Sequence, residues 1–218
     1  MTEQEKTIVK RIIELLKDRF RIDSSGHDWF HLERVWKMAK RLAKGEQVNQ
    51  YLLEMAALLH DVDDYKIKKA GEAEFSRTEE ILDPFHLSHI MKQQLFEAIR
   101  SVSFKGAGVN TTPQSLEGKI VQDADRLEAM GAIGIARVFA YGGHAGHTIY
   151  DPAVKPTLHK TFVEYKKQDN TQINHFYEKL LLLKDRINTP QAKKIAQHRH
   201  RVLEEYLSEF FAEVEERV

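Results

Sequence analysis

The most constraining stretch of the sequence is an apolar run from Tyr51 to Leu59 that ends directly in His60 and Asp61. The run predicts a buried helix, with a histidine and a carboxylate where that helix leaves the core. Burying such groups is unfavourable unless something pairs with them. Helix neighbours at i and i+1 do not share a face, but both can reach one point near a helix end. A metal ion is the natural partner, so its other ligands are expected elsewhere in the chain.

Helical spacing of apolar residues recurs along the rest of the chain. Asp28 is a suitable N-cap for the helix that carries His31, and Thr189 followed by Pro190 predicts the start of the last helix. Loops are predicted over 103–113 and over 141–156, where glycines are frequent. The predicted helices cover about 2–20, 28–42, 49–60, 72–82, 88–101, 115–130 with an extension to 140, 158–168, 173–183 and 190 to near the C-terminus.

The sequence has no alternating run of β-branched residues long enough for a sheet, so the predicted fold class is all-α. Short connections between the helices favour a single compact domain over 1–218. We expect a metal-binding core at about 22–130, with the C-terminal helices, about 157–218, packed on it.

Charge and composition exclude several classes of protein. The chain has 33 Lys and Arg against 33 Asp and Glu, so its charge gives no reason to expect nucleic acid or a membrane as partner. It has no cysteine, which excludes disulfides and thiolate metal sites. It also lacks a signal peptide and an apolar run of transmembrane length, which predicts a soluble cytoplasmic protein. No signal in the sequence indicates an oligomeric state.

Four residues predict a single metal site: His31, His60, Asp61 and Asp125. Two imidazoles and two carboxylates suit a divalent first-row transition ion and could also take Mg²⁺. A bound cation lowers the pKa of water and so supplies hydroxide at neutral pH. Histidine ligands must be neutral to bind, so occupancy should fall below about pH 6. Taken singly, His31 could be a hydrogen-bonded core residue, and Asp125 could pair with Arg34 or Arg126.

The order of these residues resembles the HD superfamily of metal-dependent phosphohydrolases. The matching positions are His31, the pair His60-Asp61, and Asp125 within the sequence Ala-Asp-Arg-Leu. The segment from Gly26 to His31, with Arg34 one turn on, is similar to the start of this fold. The sequence over 122–127 and the Gly-Gly-His segment are similar to the bacterial YedJ/YpgQ-like branch. The likeness covers most of the chain and implies an all-helical HD fold.

The resemblance also implies an activity, the hydrolysis of a phosphate ester or phosphoanhydride in a small phosphorylated substrate. Similar members are associated with nucleoside triphosphate pyrophosphohydrolase activity, which yields a nucleoside monophosphate and pyrophosphate. The expected cofactor is a divalent ion, Mn²⁺ before Mg²⁺, Ni²⁺, Fe²⁺ or Zn²⁺. The alternatives are a phosphomonoesterase, a cyclic phosphodiesterase, a sensor module that binds metal and nucleotide without turnover, and a helical scaffold without metal.

Further residues near the motif have predicted roles in catalysis or substrate binding. Asp64 lies three residues after Asp61, which is the offset of an acid–base candidate in related alarmone hydrolases. The predicted catalytic residues are therefore Asp64 and, as a metal ligand, Asp61. Asp63 competes with Asp64 for this role. The predicted substrate-binding residues are His27, Arg34 and Lys66. His27 could instead bond to a metal ligand or be an exposed loop residue, Arg34 could form a surface ion pair, and Lys66 could be a solvated lysine.

Three residues outside the motif are left without an assigned role. His144 and His147 lie in the predicted glycine-rich loop, which could act as a lid. Arg199 interrupts the apolar stripe of the last helix and is expected to snorkel to solvent.

Overall fold

The computed structural model describes residues 1–21, 26–64, 71–166 and 171–217. Over these residues the protein is all-α, as predicted, and no strand occurs among them. None of the helices in the described ranges is long and apolar enough to cross a membrane. The helices in chain order are α1 (Glu3–Arg19), α2 (Trp29–Leu42), α3 (Gln50–Leu59), α4 (Ser76–Leu82), α5 (His89–Arg100), α6 (Leu116–Glu128), α7 (Gly131–Ala145), α8 (Phe162–Lys166), α9 (Gln172–Glu178) and α10 (Pro190–Val214), with 3₁₀ turns at Asp83–Phe85, Leu180–Leu182 and Lys184–Arg186.

Packing divides the chain into two compact units. The first contains α1 to α5 and most of α6, and the second contains the end of α6 and α7 to α10. The single domain over 1–218 stays a prediction. The first unit consists of Met1–Asp23, His27–Phe104 and Thr111–Asp125, and the second of Ser24–Gly26, Lys105–Asn110 and Arg126–Val218.

The centre of the first unit is α3, which packs against α1, α2 and α5. Its residues from Tyr51 to Leu59 are all buried, which confirms the predicted buried helix. The one charged side chain on this helix is Glu54, which accepts hydrogen bonds of 2.8 Å from Trp36 Nε1 and from Gln50 Nε2. These bonds offset the loss of water around a buried carboxylate. The residues that follow its C-terminal end are therefore attached to a helix that is buried along its whole length.

In the second unit, α7 packs against α9 and α10. The predicted loop over 141–156 is wrong in its first part, because α7 continues to Ala145 and includes His144. The glycine at position 142 serves packing rather than a turn, since a Cβ atom there would collide with the side chain of Gln172. The helix ends at Gly146, whose φ of +73° is the left-handed conformation of a C-terminal glycine.

The helix predicted at 158–168 starts later than expected, and the helix predicted at 173–183 ends earlier. Thr161 starts α8, because its hydroxyl accepts a hydrogen bond of 3.2 Å from the backbone N–H of Glu164. At the other position, α9 ends at Glu178 and the chain continues in 3₁₀ turns. The break occurs at Lys179, whose φ of −138° lies outside the helical range.

Candidate metal centre

His31 is positioned by the first turn of α2. The carboxylate of Asp28 accepts a hydrogen bond of 2.8 Å from the backbone N–H of His31, which confirms the predicted N-cap. The imidazole of His31 is fully buried. Because the cap fixes where the helix starts, it also fixes where this ring enters the core of the first unit.

His60 and Asp61 lie in the turn that follows the last residue of α3, Leu59. The Nδ1 atom of His60 is 2.9 Å from the backbone oxygen of Ala57. A carbonyl oxygen only accepts, so Nδ1 carries the hydrogen and donates it. In the neutral ring this leaves the lone pair on Nε2, the arrangement in which a metal-binding histidine is usually held.

The structure brings the four predicted metal ligands together. His31 Nε2 lies 3.2 Å from Asp61 Oδ2 and 3.6 Å from Asp125 Oδ1. His60 Nε2 lies 3.5 Å from Asp61 Oδ1 and 3.7 Å from Asp125 Oδ1. Most of these separations are too long for a good hydrogen bond. They are close to the ~3 Å that separates neighbouring ligand atoms around a cation with bonds of about 2.1 Å.

The donor atoms fit a divalent cation. His60 Nε2 is buried and makes no hydrogen bond with the residues that the structure describes. Buried polar nitrogens rarely stay without any partner, which can be a protein group, an ordered water or an ion. One donor atom from each of His31, His60 and Asp125 lies within 4.8 Å of the others, and the same is true of His27, His31 and Asp61. Imidazole nitrogen with carboxylate oxygen is a donor set for first-row divalent ions.

The charges of the cluster depend on one another. Burial disfavours the charged form of His60, but the carboxylates of Asp61 and Asp125 outweigh it and raise the pKa of His60 to about 9. Burial also opposes the charge on Asp61, yet the imidazoles of His60 and His27 hold the pKa of Asp61 well below its usual range. The pKa of Asp125 is lowered against burial by His60 and His31. Without a cation, a proton on His60 therefore balances part of the carboxylate charge.

His27 also contacts this cluster. Its side chain is buried, and its Nδ1 atom lies 2.7 Å from Asp61 Oδ2. Its ring meets that of His31 edge to face, with 5.9 Å between the ring centroids. The predicted role of His27 in substrate binding stays a prediction, and the contact seen in the structure is with a predicted metal ligand.

Two adjacent aspartates, Asp63 and Asp64, have different partners. Asp63 Oδ2 accepts hydrogen bonds from the backbone N–H of Thr78 at 2.8 Å and from its hydroxyl at 2.6 Å, and Oδ1 accepts from the backbone N–H of Arg77 at 3.1 Å. These bonds bind Asp63 to the first turn of α4. Asp64 is buried, and its Oδ2 accepts a hydrogen bond of 3.0 Å from the Ser103 hydroxyl. The geometry favours Asp64 over Asp63 for the acid–base role, which stays a prediction.

The remaining candidates lie in varied surroundings. Arg34 is on α2, one turn after His31, and is half-buried. Lys66 lies outside the described residues. His147 meets the ring of Tyr141 edge to face, at 6.1 Å between centroids. Arg199 does not snorkel to solvent, since its guanidinium donates to the backbone oxygen of Leu127, near the C-terminal end of α6.

Comparison with known proteins identifies the family. The family model of the HD domain matches residues 29–130, which include all four predicted metal ligands but not His27. The uncharacterised protein YpgQ of Bacillus subtilis (strain 168) is 34% identical over 186 residues, covering 85% of this chain and 83% of YpgQ. The chain belongs to the HD-domain superfamily.

Solved structures of similar proteins have the same fold. A crystal structure of a protein from Lactobacillus plantarum has a TM-score of 0.83 at 40% identity and covers 98% of each chain. An HD-superfamily hydrolase from Bacillus thuringiensis has a TM-score of 0.71 at 39% identity, covering 97% of this chain and 98% of the hydrolase. YpgQ crystallised in complex with ADP has a TM-score of 0.72 at 30% identity, covering 94% of this chain and 97% of YpgQ.

The HD relationship confirms the predicted enzyme class, a metal-dependent phosphohydrolase. Two contacts of the site have partners that the sequence does not reveal. They are the bond from Ser103 to Asp64 and the bond from His27 to Asp61, which link residues distant in the chain. Neither serine nor histidine at these positions carries a local pattern that would reveal the partner.

Proposed function

We propose that this protein hydrolyses nucleoside triphosphates to nucleoside monophosphates and pyrophosphate. The observation that carries the proposal is the convergence of His31, His60, Asp61 and Asp125 within the first compact unit, with 3.2–3.7 Å between the imidazole nitrogens and the carboxylate oxygens. The crystallised complex of the relative YpgQ with ADP supports a nucleotide as the substrate.

The four residues would hold the divalent cation, with Mn²⁺ as our first choice and Mg²⁺, Ni²⁺, Fe²⁺ and Zn²⁺ as alternatives. Their two nitrogens and two carboxylate groups suit these ions. When bound, such an ion supplies a Lewis acid for phosphoryl oxygens and lowers the pKa of water. His60 contributes orientation, because the bond from its Nδ1 to Ala57 directs Nε2 toward the carboxylates.

In our proposal the remaining residues move a proton and bind phosphate. Asp64 accepts the proton of the attacking water, and the hydrogen bond from Ser103 holds its carboxylate in one orientation. Arg34 and Lys66 place positive charge beside the phosphate groups, where a guanidinium can form two parallel hydrogen bonds. Because the whole chain has a net charge of zero, attraction for a polyanionic substrate must come from such local charge.

The reaction conserves atoms and charge as follows. The oxygen of water forms a bond to the α-phosphorus, and the bond from that phosphorus to the bridging oxygen breaks. Pyrophosphate leaves with the electron pair of the broken bond. The oxygen of water therefore ends in the nucleoside monophosphate, and stabilisation of charge on the leaving group is the main electrostatic task of the site.

The experiment is a panel of nucleoside mono-, di- and triphosphates and cyclic nucleotides, incubated with the protein and Mn²⁺ in ¹⁸O-labelled water. The products are separated by ion-exchange chromatography, and their ¹⁸O content is measured by mass spectrometry. We expect triphosphates to give labelled monophosphate and unlabelled pyrophosphate. Release of orthophosphate from nucleoside monophosphates would indicate a phosphomonoesterase, and opening of cyclic nucleotides would indicate a cyclic phosphodiesterase. Binding without turnover would indicate a sensor module.

A further inference from the structure

His27 is a buried histidine with a specific contact that the HD family model does not cover. It lies two residues before the matched range of 29–130. Only 8% of its surface is exposed. Its neighbour Asp28 caps α2 at His31, so the backbone next to His27 is fixed to the helix that carries a predicted metal ligand. The preceding residue, Gly26, has a φ of +83°, a conformation that favours glycine.

The chemistry of the contact defines the direction of the hydrogen bond. A carboxylate oxygen can only accept, so the Nδ1 atom of His27 carries the hydrogen and donates it to Asp61 Oδ2 at 2.7 Å. This is the length of a charge-assisted bond. Outer hydrogen bonds of this kind fix the orientation of a ligating carboxylate, and their loss weakens metal binding.

A second possible role for His27 is that of a ligand to another cation, since His27, His31 and Asp61 also form a close group. Two observations argue against it. His31 Nε2, 3.2 Å from Asp61 Oδ2, also lies 3.6 Å from Asp125, and one imidazole nitrogen binds only one ion. The Nδ1 atom of His27 is already at hydrogen-bonding distance from the carboxylate it would have to share.

We propose that His27 is a positioning residue, which holds the carboxylate of Asp61 by an Nδ1–H···Oδ2 hydrogen bond and so strengthens binding of the cation. The proposal rests on the metal centre of the proposed function but not on its substrate. It replaces substrate binding as the role of His27.

The experiment measures Mn²⁺ binding to the metal-free full-length protein, with free Mn²⁺ followed by electron paramagnetic resonance. His27→Leu removes the donor at similar volume, and His27→Asn retains an N–H near the position of Nδ1. The control is His200→Leu, because His200 is also buried and lies on α10, with its Nε2 3.3 Å from Glu204. Thermal unfolding of each metal-free variant measures the general effect of losing a buried histidine.

We expect wild type to bind one Mn²⁺ and His27→Leu to bind it about 10- to 100-fold more weakly. His27→Asn should recover most of that loss, and His200→Leu should bind like wild type. The proposal is overturned if His27→Leu binds as tightly as wild type, or if His27→Asn is as weak as His27→Leu. It is also overturned if wild type binds two ions and His27→Leu loses only one of them.

The same titration separates this proposal from the proposed function. If the expected order of affinities is found but no triphosphate is hydrolysed, the proposed function fails and the role of His27 stands. If triphosphates are hydrolysed and all variants bind Mn²⁺ equally, the role of His27 fails and the proposed function stands.

Discussion

The Nε2 atom of His60, at the end of α3, lies 3.7 Å from Oδ1 of Asp125, on α6. The buried Nε2 atom of His60 makes no hydrogen bond with the described residues, and 3.7 Å is too long for a hydrogen bond to Asp125. The shared cation of our proposal would explain both, because it would bond to each atom without requiring them to touch. Several consequences can be measured.

The first prediction concerns protons released on metal binding. Burial and the opposing, larger effect of two carboxylates leave His60 with a pKa of about 9, so it is protonated at pH 7 in the metal-free protein. The cation must displace this proton, so apparent affinity should rise about tenfold per pH unit up to about pH 9, instead of falling only below about pH 6 as expected for an ordinary histidine. Calorimetric titration with Mn²⁺ in buffers of different ionisation enthalpy should give close to one proton per ion. A pH-independent affinity from pH 6.5 to 9 would contradict it.

The second prediction concerns the stability of the metal-free protein. The folded-state pKa of His60 is raised, so its contribution is fully present below pH 6.5 and is lost as the pH rises through about 9. The pKa values of Asp61 and Asp125 are lowered, so their contribution is present above pH 3.8 and is lost on acidification.

Urea unfolding in EDTA should therefore show the stability falling between pH 6.5 and 9. The variant His60→Gln is the control, and its stability should be flatter over this range. An unchanged slope in that variant would assign the effect to other groups.

The third prediction separates the two adjacent aspartates. Asp63→Ala removes the bonds to the first turn of α4 and should lower the free energy of unfolding by about 1–2 kcal/mol, the usual effect of losing a helix cap. Its turnover and Mn²⁺ affinity should stay near those of wild type. Asp64→Asn should lower kcat by about 10²- to 10⁴-fold, as loss of an acid–base group does. The assignment of the acid–base role to Asp64 is wrong if Asp63→Ala, with its metal site saturated with Mn²⁺, is the variant that loses turnover.

The fourth prediction concerns Ser103, whose hydroxyl donates to Asp64 at 3.0 Å. Ser103→Ala should lower kcat by roughly 10- to 100-fold, the equivalent of a hydrogen bond of about 1.5–3 kcal/mol to a charged group. KM should change little, because the bond orients Asp64 rather than the substrate. Ser103→Thr retains the hydroxyl and should restore most of the rate. Equal rates for wild type and Ser103→Ala would show that Ser103 does not orient Asp64 for catalysis.

Local patterns in the sequence predict the supporting helices of the site. The apolar run ending at Leu59 predicts a buried helix, and Asp28 predicts the start of α2, because periodicity and capping depend on neighbours in the chain. The glycines near position 142 predict a loop that begins at 141, whereas in the structure α7 continues to Ala145. They fail because the requirement for glycine comes from Gln172, which reaches α7 from another helix.

The candidate site also has features that the sequence predicts and features that it does not. A known motif joins the four candidate metal ligands in the sequence, and the structure brings their side chains together. Their role as ligands stays a prediction. The bonds from His27 to Asp61 and from Ser103 to Asp64 join residues that are distant in the chain. Because tertiary packing brings these residues together, no local sequence pattern predicts the bonds. The acidic pair at 63–64 is ambiguous in the sequence, and the structure distinguishes its members by what each carboxylate accepts.

The most direct test of the metal centre is anomalous diffraction from a crystal of this protein grown with Mn²⁺. We predict one strong anomalous peak in the cluster, about 2 Å from the Nε2 atoms of His31 and His60 and from a carboxylate oxygen of Asp61 and of Asp125. A saturated crystal with no peak there, or with its peak bound by other residues, would contradict the central claim.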